Sequence, residues 1–218
     1  MIYKTQELFD IKHSAAEPLL AKCEYPHQAL PKIGEFIKEY SLTLDSSYRE
    51  IGEGVFVADD AKIWEGATIV GPTVIGHKAE IRPGAFIRGN ALIGDGAVIG
   101  NSTEVKNAIV FDGAQLPHYN YVGDSIIGYK AHMGAGAIAS NLRLDKKEII
   151  LKSEGENMAS GLKKIGVFLG DCAEVGCGSV LCPGSIVGRE AMVYPLSTVR
   201  GTIPERTVFD GKSIKKRV

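Results

Sequence analysis

The sequence predicts an all-β protein, a parallel β-helix of hexapeptide repeats with a short N-terminal α-helical cap. Three observations carry that fold class. Val57, Ile63, Ile69, Ile75, Ile81, Ile87, Ile93, Ile99 and Val105 recur every six residues, neither the 3.6 period of a helix nor the period of two of one strand. Two places before each of the last eight stands a small side chain: Ala61, Ala67, Thr73, Ala79, Ala85, Ala91, Ala97 and Thr103. Gly76, Gly94 and Gly100 directly follow the aliphatic, where a chain without Cβ bends easily. Together these describe short parallel strands joined by tight corners around a column of aliphatic side chains. An evenly spaced β-sandwich is the competing fold, but its strands recur at longer and less regular intervals. Three hexapeptides complete one triangular coil, so residues eighteen apart stack at roughly the 4.8 Å strand spacing.

Taken in order, residues 1–50 stand outside the repeat. Residues 5–9, 14–23 and 32–40 read as short helices; Ile33, Phe36 and Ile37 have helical spacing, and Pro18, Pro26 and Pro31 keep the segments short. An open solenoid end exposes strand edge and apolar core, so this α segment is expected to cap it. Residues 51–200 form the β-helix. Its inward series continues through Val110, Leu116 and Val122, with Ala108, Ala114 and Asn120 in the small position, then through Ile127, Met133 and Ala139. The steps from Val105 to Val110 and from Val122 to Ile127 are five residues instead of six. They bracket QLPHYNYVGD, and departures from a regular rule are expected at functional sites.

Residues 140–162 abandon the pattern, too long for an ordinary connection and alternating apolar with polar in their first half, which predicts an arm or hairpin. The repeat restarts at Leu169, Val175, Leu181, Val187, Val193 and Val199. Residues 201–218, with Pro204 and the basic end Lys215, Lys216 and Arg217, read as a solvated surface tail.

A net charge of -1 over 218 residues gives no general attraction to nucleic acid or anionic membrane. No apolar stretch approaches the length of a membrane span, and MIYKTQELFD lacks a signal-peptide profile, so a soluble cytoplasmic protein is expected. Cys23 stands alone, and Cys172, Cys177 and Cys182 are spaced five apart without a CxxC pair, which favours reduced small hydrophobes or corner residues over a metal site.

Chemistry enters through stacking. Arg88 and Lys106 are eighteen apart and each follows an inward aliphatic, so both cations fall on one corner a coil apart. Two readings are open: a bound phosphate neutralises them, or they splay into solvent with one paired to Glu104. Arg82 belongs to a different corner. His118, two residues past Leu116 and near Tyr119 and Tyr121, is either a structural histidine or a general base poised near neutral pH. A zinc site of the γ-carbonic anhydrase kind needs three convergent histidines, and His77, His118 and His132 lack a matching spacing.

The stretch STEVKNAIVFDGAQLPHYNYVGDSIIGYKAHMGAGAIASNLRLDKKEI resembles the acetyltransferase half of the bifunctional glucosamine-1-phosphate acetyltransferase and N-acetylglucosamine-1-phosphate uridylyltransferase enzymes, especially the archaeal sugar-1-phosphate type. The EVK, PHYNYVGD, GAG and N-L-R-x-D-x-K elements carry the resemblance, which covers most of residues 51–200. It implies a left-handed coil, an exception to the usual right-handed crossover. It also implies acetyl transfer from acetyl-CoA to the amine of glucosamine 1-phosphate or galactosamine 1-phosphate, feeding UDP-sugar synthesis, in a homotrimer; from charge and hydropathy, no nucleic-acid or membrane partner is expected.

By the same resemblance His118 is the catalytic base, held by Glu104. Lys106, Tyr121, Asn141 and Lys147 match the family's sugar-phosphate ligands, and Gly134, Ala135 and Gly136 match backbone that contacts the acetyl-CoA thioester. The family's arginine sits within an RP motif one coil before its lysine. Here Arg82-Pro83 has the motif, whereas Arg88 has the spacing and is preferred. Leu142 replaces the tyrosine that often follows the arm asparagine. About fifty residues precede the coils, too few for the doubly wound nucleotidyltransferase domain, so uridylyl transfer is not expected. A hexapeptide acyltransferase for another amino sugar or nucleotide sugar, and a non-catalytic β-helix scaffold, are the alternatives.

Overall fold

One aliphatic per hexapeptide faces inward, and the chain closes around that column. In the computed structural model, which describes residues 2–217, the result is a left-handed parallel β-helix of about nine turns. The column runs unbroken from Val57 to Ile203, including Met133 and Ala139, and every small residue that flanks it in the middle coils is buried.

The strands fall on three faces. Face one carries Val55–Ala58, Thr73–Ile75, Ala91–Ile93, the second halves of Glu104–Val110 and Tyr121–Ile127, then Val167–Leu169, Ser185–Val187 and Thr202–Ile203. Face two runs from Lys62–Ile63 through Val98–Asn101, Gln115–His118 and His132–Met133 to Thr207–Phe209. Face three holds Thr68–Ile69, Phe86–Ile87, the first halves of the two long strands, Ile138–Ala139, Val180–Leu181 and Thr198–Val199. Cys172, Cys177 and Cys182 are free and sit at three successive corners.

The five-residue steps have a simple cause. Glu104–Val110 and Tyr121–Ile127 pass from face three to face one without interruption, with Asn107 (φ 47°) and Asp124 (φ 49°) alone at the bend. Asparagine and aspartate tolerate that left-handed backbone better than most side chains. Each shortcut reduces the vertical repeat from eighteen residues to seventeen, as in the pairing of Glu104 with Tyr121.

The α segment does not cap an end; it lies lengthwise along face one. Val74, Leu92, Ile109, Ile126, Phe168 and Ile186 form a vertical outward row on that face, and all are buried. They pack against Leu8, Phe9, Leu20, Leu30 and the helix Ile33–Ser41, whose Ile33 and Ile37 lie one turn apart on its buried side. At about 1.5 to 3 kcal/mol per large apolar side chain removed from water, this row alone accounts for the docking. The segment runs against the coil order: the Tyr3 hydroxyl accepts from the Glu205 N–H, the Leu8 carbonyl from Asp171 and the His13 carbonyl from Asp112.

Antiparallel strands cover the solenoid ends instead, Tyr48–Gly52 on Val55–Ala58 and Ile214–Lys216 on Thr207–Phe209. The expected solvated tail therefore continues the coil through Phe209 before turning back. Within the arm, Ile150–Ser153 pairs with Glu156–Ala159, and Ile149 and Leu151 are buried on the solenoid's own side. The Thr202 hydroxyl donates to the Lys152 carbonyl at 2.8 Å. The preceding turn is exposed, with Leu144 fully so. Among the described residues no helix is long and apolar enough to cross a membrane.

Candidate active site

Face three positions the candidate residues in two rows. Phe86, Glu104, Tyr121 and Ile138 stack one above the other on its outer surface near face two. Arg88, Lys106, Gly123 and Ser140 follow the inward aliphatics near face one. The Arg88 N–H donates to the Val105 carbonyl at 2.8 Å, which sets Arg88 one coil above Lys106. Arg82 turns a different corner and pairs with Glu80 at 3.0 Å.

Each stacked cation has a carboxylate. Arg88 Nη1 donates to Glu104 Oε1 at 2.6 Å, and Lys106 Nζ stands 4.0 Å from Asp124 Oδ2. This corrects the expected role of Glu104, which faces outward on the same face as Arg88, whereas His118 ends a strand of face two. Glu104 holds Arg88, and among the described residues the His118 ring has no hydrogen-bond partner. With both carboxylates ionised the four groups are balanced, so an entering phosphate competes with them for the cations.

Tyr121 is half-buried. Burial pushes its phenol up, reinforced by the negative charges of Glu104 and Asp124, so it stays protonated at neutral pH. The Asn141 amide donates to the Asp124 carboxylate, and Asn141 also lies beside this hydroxyl, where it opposes part of the upward shift. Gly123 makes this possible: a Cβ there would lie 2.6 Å from Tyr121 Oη and 2.7 Å from Asn141 Nδ2. Lys147 is exposed on the arm turn, which Arg143 fixes by a two-pronged bond to Asp145 at 2.8 and 2.7 Å. Among the described residues no ion pair links the Lys147 ammonium to the other candidates.

The second group lies where face two meets face three. His118 is exposed and pairs with Asn101 in the coil above. Gly134, Ala135 and Gly136 turn the same corner one coil below, and the Gly136 N–H donates to the His118 carbonyl at 3.0 Å. Asn120, a residue that sequence reasoning placed only as a small corner filler, braces the two turns from inside. Its oxygen accepts the His118 N–H at 3.2 Å, and its amide donates to the carbonyls of Gly134 at 2.9 Å and Ala137 at 3.2 Å.

The two groups thus occupy opposite edges of one narrow face. Three chain steps separate His118 from Tyr121, which keeps their Cα atoms within about 11 Å. Arm and coils also enclose an open groove of about 590 Å³, lined by Leu142, Arg143, Asp145, Ile149, Cys182 and Arg200 among others. A smaller cavity of about 320 Å³ lies between Leu30 and Pro31, Asn107 and Asp124, and Leu162, Lys163 and Lys164. Among the described residues no three His, Cys, Asp or Glu side chains converge as metal ligands. His77 pairs with Asp60 and His132 with Glu174, apart from His118.

Comparison with known proteins gives the family. Residues 69–155 match the family model described as the GMPPB C-terminal domain. A bifunctional sugar-1-phosphate nucleotidylyltransferase/acetyltransferase of Sulfurisphaera tokodaii is 35% identical over 161 residues, covering 74% of this chain and 39% of that protein. The bifunctional protein GlmU of Methanococcus maripaludis is 38% identical over 95 residues, covering 44% of this chain and 23% of that one. The uncharacterized acetyltransferase YaiX of Escherichia coli K12 is 31% identical over 159 residues, covering 70% and 66%. The chain spans well under half the length of the two bifunctional relatives. With the hexapeptide column, the paired corners and these matches in hand, the chain belongs to the left-handed β-helix hexapeptide acyltransferases, the family of the acetyltransferase half of the bifunctional sugar-1-phosphate enzymes.

Proposed function

We propose that the chain is an acetyl-CoA-dependent N-acetyltransferase acting on an amino-sugar 1-phosphate, glucosamine 1-phosphate or galactosamine 1-phosphate. One observation carries this reading. The stacked pair Arg88 and Lys106, with Tyr121 and Asn141 beside it, lies at one edge of face three, and His118, set above the Gly134-Ala135-Gly136 turn, stands at the corner where that face meets face two. A phosphate taken by the cations at one edge leaves the sugar to extend toward the histidine at the other.

The chemistry follows. A sugar ammonium is no nucleophile until it loses a proton, and the exposed His118 imidazole is the group to accept it. The freed nitrogen lone pair attacks the thioester carbonyl carbon, and backbone N–H groups around Ala135 are suited to hold the resulting oxyanion. Collapse re-forms the carbonyl, breaks the carbon–sulfur bond and expels the coenzyme A thiolate, which takes a proton from the imidazolium, while the nitrogen sheds its remaining extra proton to the regenerated imidazole and from there to solvent. Arg88, Lys106 and the arm's Lys147 fix the phosphate, so binding free energy becomes orientation of the amine. The nucleotidyl step is outside this proposal, because residues 2–217 form a solenoid with its α segment and arm and contain no doubly wound nucleotide domain.

We also propose a homotrimer, because a single narrow prism has no cleft deep enough for both substrates. A second reading keeps the fold and the base but takes a nucleotide-linked amino sugar. The roughly 320 Å³ cavity beside Asp124 favours it, since Lys163 and Lys164 there suit a second phosphate. One experiment separates the readings: purified protein with acetyl-CoA against free amino sugars, their 1-phosphates and their nucleoside-diphosphate forms, followed by thiol release. Fastest turnover with a 1-phosphate supports the first reading, fastest turnover with a nucleotide sugar the second. No thiol release with any amine sinks both.

A further inference from the structure

We infer that Asp124 is a positioning residue that fixes the carboxamide of Asn141 to receive the sugar, an inference that rests on the acetyl-transfer reading above. Asp124 is only 6% exposed, and a buried carboxylate is costly unless its oxygens are satisfied. Here Oδ1 accepts from Asn107 Nδ2 at 2.9 Å, and Oδ2 accepts from Asn141 Nδ2 with the Lys106 ammonium 4.0 Å away. The residue reaches this spot because two coils are one residue short. Asn90, Asn107, Asp124 and Asn141 are each seventeen apart and stack at one corner, the first three with left-handed backbone.

A ladder of asparagines alone would brace such a corner, but each amide could turn over. A carboxylate only accepts, so the amide nitrogen of Asn141 has to face it. That nitrogen and the Tyr121 hydroxyl both sit over the bare Cα of Gly123, where a Cβ would lie 2.7 and 2.6 Å from them. The nitrogen end of the amide is thereby turned into the protein. The Asn141 Oδ1, which among the described residues has no donor, remains as an acceptor for an N–H or O–H of the sugar. Asparagine at 124 keeps the shape of the ladder and removes what orients it.

The test compares Asp124→Asn, Asn141→Ala and the double variant in the full chain, with acetyl-CoA and glucosamine 1-phosphate or galactosamine 1-phosphate, whichever turns over faster. Asp124→Asn is expected to melt with the wild type and to raise the sugar-phosphate KM about tenfold, the value of one good hydrogen bond. The KM for acetyl-CoA stays unchanged, and the double variant is no worse than Asn141→Ala alone. A loss that persists in full in the Asn141→Ala background overturns the inference, because Asp124 then acts through something else.

A second readout needs no turnover. In the wild type the side-chain amide protons of Asn141, assigned by their loss in Asn141→Ala, should exchange slowly with solvent, and fast exchange also overturns the inference. If the wild type transfers no acetyl group, the proposed activity falls while this readout still tests the ladder.

Discussion

Asn120 donates its side-chain amide to the carbonyl of Gly134 at 2.9 Å, joining the turn that bears His118 to the turn one coil below. The same side chain accepts from the His118 N–H and is 2% exposed, so it sits in the core where most coils carry alanine. Asn120→Ala removes the side-chain donor to the Ala137 carbonyl and the acceptor of the His118 N–H, and leaves the Gly134 carbonyl with the Ala137 N–H alone. It should cost about 1 to 3 kcal/mol of stability, read from denaturant unfolding, and lower kcat at temperatures where the variant stays folded. A variant as stable and as active as the wild type would show that the brace is dispensable.

The His118 side chain is exposed, and among the described residues its ring has no hydrogen-bond partner. His118→Ala should therefore lower turnover by about 10²- to 10⁴-fold with little change in melting temperature. Full activity in that variant removes the histidine from the mechanism.

Arg88 and Lys106 lie on one corner and Arg82 on another, so the three cations should separate in a substrate-binding assay. Arg88→Ala and Lys106→Ala are each expected to weaken the sugar 1-phosphate by about 1.5 to 3 kcal/mol while leaving acetyl-CoA binding alone. Arg82→Ala should cost the substrate little. Should Arg82→Ala prove the most damaging, the RP motif identifies the phosphate ligand and the stacking does not.

The aliphatic column was legible because each inward residue repeats a single steric demand, and the eighteen-residue rule put Arg88 over Lys106 for the same reason. What the rule hid lies in the shortened coils. There seventeen residues separate neighbours, so Asp124 and Asn141 become a ladder that a search at eighteen does not find. Glu104 went to Arg88 instead of His118 because outward direction on a strand, and not closeness in sequence, decides what an acid reaches. The misplaced α segment had a visible signal too. Thr73–Ile75, Ala91–Ile93 and Ser185–Val187 carry an aliphatic at the outward position as well as the inward one, a mark of a face covered on both sides.

The docked helix offers a test of sign. Gly34 faces Asn90 so closely that a Cβ would lie 2.4 Å from Asn90 Oδ1. In a free helix Gly→Ala gains about 1 kcal/mol from propensity. Gly34→Ala should be neutral or destabilising in the wild type and stabilising by about that amount in an Asn90→Ala background. A Gly34→Ala variant that gains stability with Asn90 present means the contact yields, and the helix is held by its apolar row alone.

The last prediction is quaternary. Face one is covered by the chain's own α segment, which leaves faces two and three and the corner between them open for the proposed trimer. That corner bears Tyr119, 65% exposed, and Leu196, 85% exposed, close to His118 and below it in the stack, while Leu144 on the arm turn is wholly exposed. Three prisms meeting there would bury these side chains and bring one chain's arm turn toward a neighbour's His118, with closed symmetry giving three equivalent sites. Light scattering should report about three times 23.4 kDa. Tyr119→Asp with Leu196→Asp should lower the mass and the activity together, since neither charge disturbs the aliphatic column. Mixed His118→Ala and Asn141→Ala subunits, each impaired alone, should together exceed the summed activity of the two separate variants if the two residues act across the interface. A trimer without such rescue places both in one chain, and a monomer of full activity removes the shared site altogether.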